Sequence, residues 1–345
     1  MSQQKTILVT GAAGFIGFHT TKALLARGDK VIGIDNLNNY YDPKLKQARL
    51  EILSTSPAFR FHKADISQPI NIPGRGIDQV CHLAAQAGVR YSLENPEAYH
   101  QSNILGTTNV FDFAYVNKIR DIVYASSSSV YGNSTQVPFR EDQKDLKPIS
   151  LYAETKLINE NLAEAMHVLL ARNNLIGLRF FTVYGPWGRP DMALFKFTQN
   201  ILNNQPIEVY NNGNQKRDFT YVDDIVGGVL ASLDRAGQSS SNSSSSARSS
   251  SSTLTSSAST RSLLPEIFNL GRGQPINLMD FIGEIERATG KSATKIMMPP
   301  QAGDVSQTWA DISKAKALLG YEPKTSIREG VKSFVDWYKE YYGVK

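Results

Sequence analysis

Tyr152 and Lys156 stand four residues apart in the segment SLYAETK (150–156). On a helix, two residues with this spacing lie one turn apart on the same face. An ammonium close to a phenol favours the phenolate, so a tyrosine with an ordinary pKa of about 10 can act as a base nearer neutrality. The pair is also typical of an amphipathic helix surface, so its weight depends on what the rest of the chain places beside it.

The start of the chain carries a nucleotide-binding fingerprint. KTILVT (5–10) is a β-branched apolar run that predicts a buried strand, GAAGFIG (11–17) follows at once, and residues 19–27 have helical character. Glycines at positions 11, 14 and 17 allow a tight turn and close approach of the backbone to a pyrophosphate. Free amides at the start of the helix then favour phosphate.

Asp35 ends a second predicted strand, KVIGI (30–34), at close to the roughly 20-residue spacing expected for a group that binds the adenosine ribose. A carboxylate there repels a 2′-phosphate, so the sequence favours NAD over NADP. The alternative is a structural glycine turn with a capping aspartate.

Composition limits the class of protein. The chain has 345 residues, of which 41% are hydrophobic and 20% charged, with a net charge of +5 and one cysteine. This composition is typical of a soluble globular protein, and we expect a cytoplasmic location without a signal peptide or membrane span. Cys81 lies in an apolar run and indicates neither a disulfide nor a metal site. The basic residues are scattered, which argues against nucleic acid as a partner.

Alternating strands and helices predict an α/β fold: a doubly wound Rossmann sheet with a smaller C-terminal α+β substrate-binding domain. Residues 1–184 are expected to form the NAD-binding domain, with 218–237 and 266–271 returning to it, and 185–217 and 272–345 the nucleotide-sugar-binding domain. The predicted strands after the first are 31–35, 59–65, 79–83, 122–126, 175–181 and 267–270, and the main predicted helices are 98–116, 152–171, 193–202 and 278–288.

A serine-rich segment, 238–262, interrupts this alternation. It has too few apolar residues to offset the entropy of ordering, so we predict a disordered insert between a helix that ends near Arg235 and the following strand.

Two further segments, CHLAAQAGVR (81–90) and VYASSSSVYG (123–132), complete a recognisable set with Tyr152 and Lys156. Together they resemble the nucleotide-sugar epimerase/dehydratase family of the extended short-chain dehydrogenase/reductases. The resemblance covers nearly the whole chain apart from the serine-rich segment, and it implies NAD as the cofactor and a UDP-sugar as the substrate.

The resemblance also implies roles for individual residues. Tyr152 would be the catalytic base and Lys156 the group that lowers its pKa and holds the nicotinamide ribose, while Ser127 and Ser128 would contact the reacting hydroxyl. The implied cofactor-binding positions are Gly11, Gly14, Phe15, Ile16, Gly17, Asp35, Asn36, Asp65, Ile66, Leu83, Ala84, Ala85, Gln86 and Asn103, together with Tyr152 and Lys156.

Substrate-facing positions are most similar to those of the UDP-glucuronate 4-epimerases within this family. There the positions of Thr182 and Arg189 contact the sugar carboxylate, which a planar guanidinium can bind through paired hydrogen bonds. Neutral-sugar epimerases carry an asparagine at the Thr182 position. The implied substrate contacts are Gln86, Arg90, Ser127, Ser128, Thr182, Arg189, Tyr210, Arg217 and Asp304.

The implied reaction interconverts UDP-glucuronate and UDP-galacturonate through a 4-keto sugar. Another UDP-sugar 4-epimerase, a UDP-glucuronate decarboxylase and a 4,6-dehydratase remain as alternatives. Related dehydratases carry Asp-Glu directly after the catalytic hydroxyl and decarboxylases keep the second acid, whereas this chain has Ser128 and Ser129, so elimination lacks an acid-base group. A non-catalytic NAD sensor is the remote alternative, since Tyr152 and Lys156 are both present. Relatives of this type also imply a homodimer formed through the helices predicted at 98–116 and 152–171.

Overall fold

A seven-stranded parallel sheet forms the centre of the N-terminal part of the protein in the computed structural model, which describes residues 4–170, 174–245, 265–301 and 304–344. The strands are β1 (Thr6–Thr10), β2 (Lys30–Asp35), β3 (Phe59–Lys63), β4 (Gln79–His82), β5 (Asp121–Ser127), β6 (Asn174–Phe180), β7 (Thr182–Tyr184), β8 (Ile207–Val209), β9 (Lys216–Arg217), β10 (Phe219–Tyr221), β11 (Glu266–Leu270), β12 (Ile276–Asn277) and β13 (Lys295–Met297). The order across the large sheet is β3-β2-β1-β4-β5-β6-β11.

Helices cover both faces of this sheet and build the C-terminal part. They are α1 (Phe15–Arg27), α2 (Pro43–Ser54), α3 (Tyr91–Glu94), α4 (Pro96–Tyr99), α5 (Gly106–Val116), α6 (Leu151–Leu170), α7 (Ala193–Leu202), α8 (Val222–Ser245), α9 (Leu278–Thr289), α10 (Ser313–Leu319) and α11 (Ile327–Tyr342). A π-helical segment, His100–Leu105, joins α4 to α5. Within the described ranges, no helix combines the length and the apolar character needed to cross a membrane.

The strand order places a crevice at one edge of the sheet. From β1 the chain winds outward to β2 and β3, then crosses to β4 on the other side of β1. In doubly wound sheets, ligands bind at the carboxyl ends of the strands where the direction of winding reverses. The glycine turn after β1 and the segment after β4 therefore meet at the expected binding edge.

A second apolar core lies in the C-terminal part, where α7, α9 and α11 pack together. Phe219 and Phe281 stack at a centroid distance of 3.9 Å, and Phe195 and Phe334 are also buried there. The predicted smaller C-terminal region is therefore present, although its last helix, α11, was not predicted. In the N-terminal part, α2 was not predicted either.

The buried carboxylate of Asp218 connects the chain around this second core. It accepts hydrogen bonds from the backbone amides of Arg272 (2.6 Å), Gly273 (3.0 Å) and Ala310 (3.1 Å). Because β9 and β10 flank Asp218, this contact fixes the segment that carries Arg217.

Most predicted elements are confirmed to within a few residues, with two differences. The helix predicted to end near Arg235 continues as α8 to Ser245, since extending an existing helix costs far less than starting one and serine is only a moderately poor helix former. The first eight residues of the predicted insert, 238–245, are therefore helical, and 246–262 lie outside the described residues. The helix predicted at 98–116 is present as α4, the π-helical segment and α5.

Candidate active site

A cavity of about 430 Å³ opens at the carboxyl edge of the large sheet and extends toward the C-terminal part. It brings together most of the predicted site residues, which come from ten separate segments of the chain. Those that line it are Gly11, Gly14, Phe15, Ile16, Gly17, Asp35, Asn36, Ile66, Leu83, Ala84, Ala85, Gln86, Ser127, Ser128, Tyr152, Lys156, Thr182, Arg189, Arg217 and Asp304.

The glycine turn between β1 and α1 leaves no room for side chains. A Cβ on Gly17 would lie 1.9 Å from the carbonyl oxygen of Gly11, and one on Gly11 would lie 2.8 Å from Cα of Ala84. Gly11 also has a φ of +72°, a conformation that favours glycine. The turn thus presents bare backbone and the start of α1 to the cavity, which is the cradle a pyrophosphate requires.

Asp35, which the sequence predicts to bind the adenosine ribose, lines the cavity beside this turn. Its side chain is almost fully buried and accepts hydrogen bonds from the backbone amides of Ala13 (3.2 Å) and Leu37 (2.9 Å). These bonds fix the carboxylate at the cavity wall, and a carboxylate has further lone pairs for the hydroxyls of a ribose. The residues present at this end therefore fit a dinucleotide.

Tyr152 lies in the first turn of α6 and lines the cavity beside Ser127, the last residue of β5. Burial raises the pKa of Tyr152 above its ordinary value, while a hydrogen bond to Ser127 and the charge of Arg189 act to lower it. The pKa of Tyr152 is therefore raised, whereas the sequence predicted a lowered pKa. Loss of solvation disfavours the phenolate more strongly than these neighbours favour it.

Lys156 follows one turn later on α6 and is 2% exposed. Its Nζ donates a hydrogen bond to the backbone carbonyl of Ala125 at 3.0 Å. Burial lowers the pKa of Lys156 to about 8, and the charge of Glu160 partly opposes this shift. The ammonium is therefore held at a fixed point near the end of β5 and is close to its titration range.

Arg189 and Thr182 bring the C-terminal part of the chain to the same cavity. The guanidinium of Arg189 pairs with Asp191, with Nε 2.9 Å from Oδ1 and Nη2 2.5 Å from Oδ2. The hydroxyl of Tyr40 donates to the same carboxylate at 3.1 Å. A fixed positive charge thus stands on the wall that also contains Tyr152.

Three predicted substrate residues meet at the opening of the cavity. Arg90 forms an ion pair with Asp304 at 3.2 Å, and its guanidinium lies 4.9 Å from the ring centre of Tyr210. Of these, only Asp304 lines the cavity, together with the neighbouring predicted residue Arg217.

Two predicted cofactor-binding residues, Asn103 and Asp65, do not line the cavity but contact residues that do. The fully buried amide of Asn103 accepts from the backbone amide of Gln86 at 2.7 Å and donates to Thr155 at 3.0 Å, so it connects the segment after β4 to α6. Asp65 accepts a hydrogen bond from Asn36 at 3.0 Å. Both side chains orient lining residues and do not themselves line the cavity.

Several site residues were not predicted from the sequence. Lys46 and Tyr40 line the cavity near Asp35, and the carboxylate of Asp191 holds Arg189. Among the described lining residues the cations Lys46, Lys156, Arg189 and Arg217 outnumber the acids Asp35 and Asp304, which suits polyanionic ligands. The only sequence signal for Asp191 was its place two residues after Arg189.

A Rossmann sheet with a glycine turn, and a serine, tyrosine and lysine grouped at its carboxyl edge, defines a dinucleotide-dependent enzyme of the short-chain dehydrogenase/reductase type. The model of the NAD dependent epimerase/dehydratase family matches residues 7–243. The chain belongs to this family: it is an NAD-dependent enzyme of the nucleotide-sugar epimerase group, and NAD is its cofactor.

Individual relatives cover almost the full chain. The chain is 50% identical over 342 residues to protein MJ1055 of Methanocaldococcus jannaschii, with 97% of each chain covered. It is 46% identical over 347 residues to UDP-glucuronate 4-epimerase 4 of Arabidopsis thaliana, covering 98% of this chain and 76% of the relative. The crystal structure of UDP-glucuronic acid 4-epimerase from Bacillus cereus in complex with UDP-glucuronic acid and NAD is 34% identical and has a TM-score of 0.84, with 98% and 100% of the two chains covered.

Proposed function

We propose that the protein is a UDP-glucuronate 4-epimerase that interconverts UDP-glucuronate and UDP-galacturonate. The observation that carries the proposal is the guanidinium of Arg189, which lines the same cavity as Tyr152 and Ser127. A fixed cation beside the base suits a sugar with a carboxylate. The names of the plant and bacterial relatives support the same substrate.

The proposed substrate spans the part of the cavity that faces the C-terminal core. Arg189 and Thr182 would bind the carboxylate, and Arg217 would bind the diphosphate. Arg90, Tyr210 and Asp304 would bind the nucleoside at the opening, where their mutual contacts already hold them together. Gln86 and Ser128 would contact the sugar from the N-terminal side.

The proposed cofactor site uses the other part of the cavity. The glycine turn, with Phe15 and Ile16, would hold the pyrophosphate and Asp35 and Asn36 the adenosine ribose. Ile66 and Leu83 to Gln86 also line the cavity and would contact the adenosine part of the cofactor. Asp65 and Asn103 would support these contacts from behind. NAD supplies the hydride acceptor and donor when it is bound.

Tyr152 is the proposed proton acceptor for the sugar 4-hydroxyl, and Ser127 the group that orients this hydroxyl. A serine can donate to the 4-keto oxygen and accept from the alcohol, so it suits both states of the sugar. Lys156 supplies a positive charge one turn away and a donor toward the nicotinamide ribose. After the keto sugar turns over, Tyr152 would return the proton to the 4-oxygen, and with hydride supplied to the other face of C4 from the bound cofactor this would give the opposite epimer.

Elimination would need a carboxylate beside Ser127, and the described residues of this cavity do not supply one there. Among the described residues that line it, the acids are Asp35 at the ribose end and Asp304 at the opening. Ser128 and Ser129 occupy the positions next to Ser127 where an acid would act on the sugar. This favours epimerisation over dehydration or decarboxylation.

Incubation of the NAD-loaded protein with UDP-glucuronate tests the proposal, with the products separated by chromatography. We expect UDP-galacturonate at an equilibrium ratio; UDP-xylose would indicate a decarboxylase, and retained NAD without turnover would indicate a sensor.

Arg189→Ala should lower the preference for UDP-glucuronate over UDP-glucose by about 10- to 100-fold, since a charge-assisted pair is lost. An unchanged preference would refute the uronate assignment.

We also propose a homodimer formed through α5 and α6. These helices pack on one another and expose apolar side chains, with Val116 73% and Val168 65% exposed. Leu105, at the end of the π-helical segment that leads into α5, is 42% exposed.

A further inference from the structure

The carboxylate of Asp191 holds one edge of the Arg189 guanidinium. Both carboxylate oxygens are used, in a two-point contact with Nε and Nη2. Arg189 lines the cavity whereas Asp191 does not. The contact uses Nε and Nη2 and does not involve Nη1, so Asp191 fixes the plane of the guanidinium without itself lining the cavity.

Tyr40 supports the same carboxylate from the cofactor side of the cavity. It lies in the segment between Asp35 and α2, and its hydroxyl donates to Oδ2 of Asp191 at 3.1 Å. Burial, reinforced by the charge of Asp191, raises the pKa of Tyr40 to about 12, so the hydroxyl remains a donor at neutral pH. The other titratable groups that face Arg189 are Tyr99 and Tyr152, and burial raises the pKa of both. Within the described residues facing Arg189, Asp191 therefore supplies the negative charge.

The backbone that carries Arg189 is anchored independently. Trp187 has a φ of +60°, which is unusual for a residue with a side chain. The buried guanidinium of Arg49 donates to the carbonyl of Trp187 at 2.6 Å and to the carbonyl of Ala13, in the glycine turn, at 2.7 Å. Outlying backbone conformations that are held by several contacts are a reason to look for function nearby. Here the anchored turn is two residues before Arg189.

We propose that Asp191 and Tyr40 are positioning residues that hold Arg189 for a substrate carboxylate and so contribute to the choice of a uronate over a neutral sugar. This inference rests on the proposed function. It predicts that a binding preference depends on two side chains that act through Arg189: Asp191, which does not line the cavity, and Tyr40, which lines it and donates to Asp191. The opposite possibility is that Asp191 competes with the substrate carboxylate for Arg189, and the two predict opposite effects of removing its charge.

The test compares Asp191→Asn and Tyr40→Phe with the wild type, using NAD-loaded protein and both UDP-glucuronate and UDP-glucose. For Asp191→Asn we expect the KM for UDP-glucuronate to rise about tenfold, with kcat and the KM for UDP-glucose changed by less than about threefold, since a charge-assisted bond is lost. Tyr40→Phe should shift the same ratio in the same direction, by about threefold. A lower KM for UDP-glucuronate would show competition, and an unchanged ratio would remove any positioning role.

The chain contains a matched control at Asp142. It binds Arg140 two residues earlier through the same two-point contact, at 3.0 and 3.1 Å, but on the exposed surface. Asp142→Asn should leave both KM values unchanged. In the Arg189→Ala background, Asp191→Asn should have no further effect on the ratio if Asp191 acts through Arg189. Independent effects would overturn the inference.

Failure of the proposed function can be separated from failure of the inference. If the wild type does not prefer UDP-glucuronate, the substrate assignment is wrong. The positioning claim is then decided by crystal structures of the wild type and Asp191→Asn. A guanidinium of Arg189 that turns away from its wild-type plane supports positioning by Asp191, and an unmoved guanidinium overturns it.

Discussion

The buried ammonium of Lys156 reduces the stability of the folded protein at neutral pH. Burial lowers its pKa from 10.5 to about 8, which means that the protonated form is less favourable in the folded state than in the unfolded chain. Each pKa unit corresponds to about 1.4 kcal/mol, so the cost is of the order of 3 kcal/mol below pH 8. It declines as the pH rises from about 8 to 10.5, because the unfolded chain there binds more protons than the folded protein.

Lys156→Met should therefore stabilise the protein at pH 7 while it abolishes turnover. We expect the melting temperature to rise by several degrees at pH 7, and the difference from the wild type to shrink at pH 10.5. Thermal unfolding of the two proteins across this range measures the effect. Lys44→Met, at an exposed position in α2, is the control and should show no such trend. A stability difference that does not change with pH would contradict this account of Lys156.

Site residues were predictable from the sequence where they form a pattern with residues close to them in the chain. Tyr152, Lys156 and the glycines carry their spacing with them, and the cavity contains all of them. Asp191 and Tyr40 were missed because their contact joins segments about 150 residues apart and leaves no pattern in either. The direction of the Tyr152 pKa was wrong for a related reason, since the sequence shows the neighbouring lysine but not the depth of burial.

The turn between β1 and α1 requires glycine at position 17, because the first turn of α1 packs directly against the backbone of Gly11. The carbonyl of Gly11 occupies the space where a side chain of residue 17 would begin. Any side chain there must move the turn or the first part of α1.

Gly17→Ala should accordingly weaken NAD binding by at least about tenfold and destabilise the protein by roughly 1–3 kcal/mol. Titration of the NAD-free protein with NAD and chemical denaturation measure the two effects. Gly283→Ala is the matched control, since Gly283 lies inside α9 with open space around the added Cβ. It should leave NAD affinity unchanged and stabilise by roughly 0.5–1 kcal/mol. Equal NAD affinity in both variants would show that the turn tolerates a side chain.

The strands of the large sheet were predicted to within two residues, whereas the short strands β7, β8, β9, β10, β12 and β13 were not predicted. The central strands of this sheet are buried on both faces and include apolar runs such as Ile7, Leu8 and Val9, whereas the edge strand β3 is partly exposed. The end of α8 could not be placed from the serine content, because helix extension depends on the turns already formed. α2 was not predicted because Lys46 and Arg49 are buried in it, so its inward face does not read as apolar.

At the scale of the whole molecule, the two cores divide the site between them. The large sheet carries the glycine turn, Ser127 and α6, and the second core carries α7 and the segments around Arg217. Contacts such as Arg49 to Trp187 and Tyr40 to Asp191 cross from one side to the other. Loss of alignment between the two parts would separate Tyr152, the proposed base, from Arg189, the cation proposed to hold the sugar. The proposed reaction therefore depends on the packing of the two cores against each other.

The proposed dimer leads to a prediction for the whole assembly. A stable interface buries about 800 Å² per partner. Val116 on α5, Val168 on α6 and Leu105 in the π-helical segment before α5 are exposed apolar residues that the proposed interface would cover. Wild-type protein should have twice the mass of one chain by light scattering. Val116→Lys and Val168→Lys should shift it to the monomer, since a charge inside the proposed interface would be buried without a partner. Leu318→Lys, on α10 and 45% exposed, should remain dimeric. A monomeric wild type, or dimers that survive both substitutions, would place the interface elsewhere or exclude it.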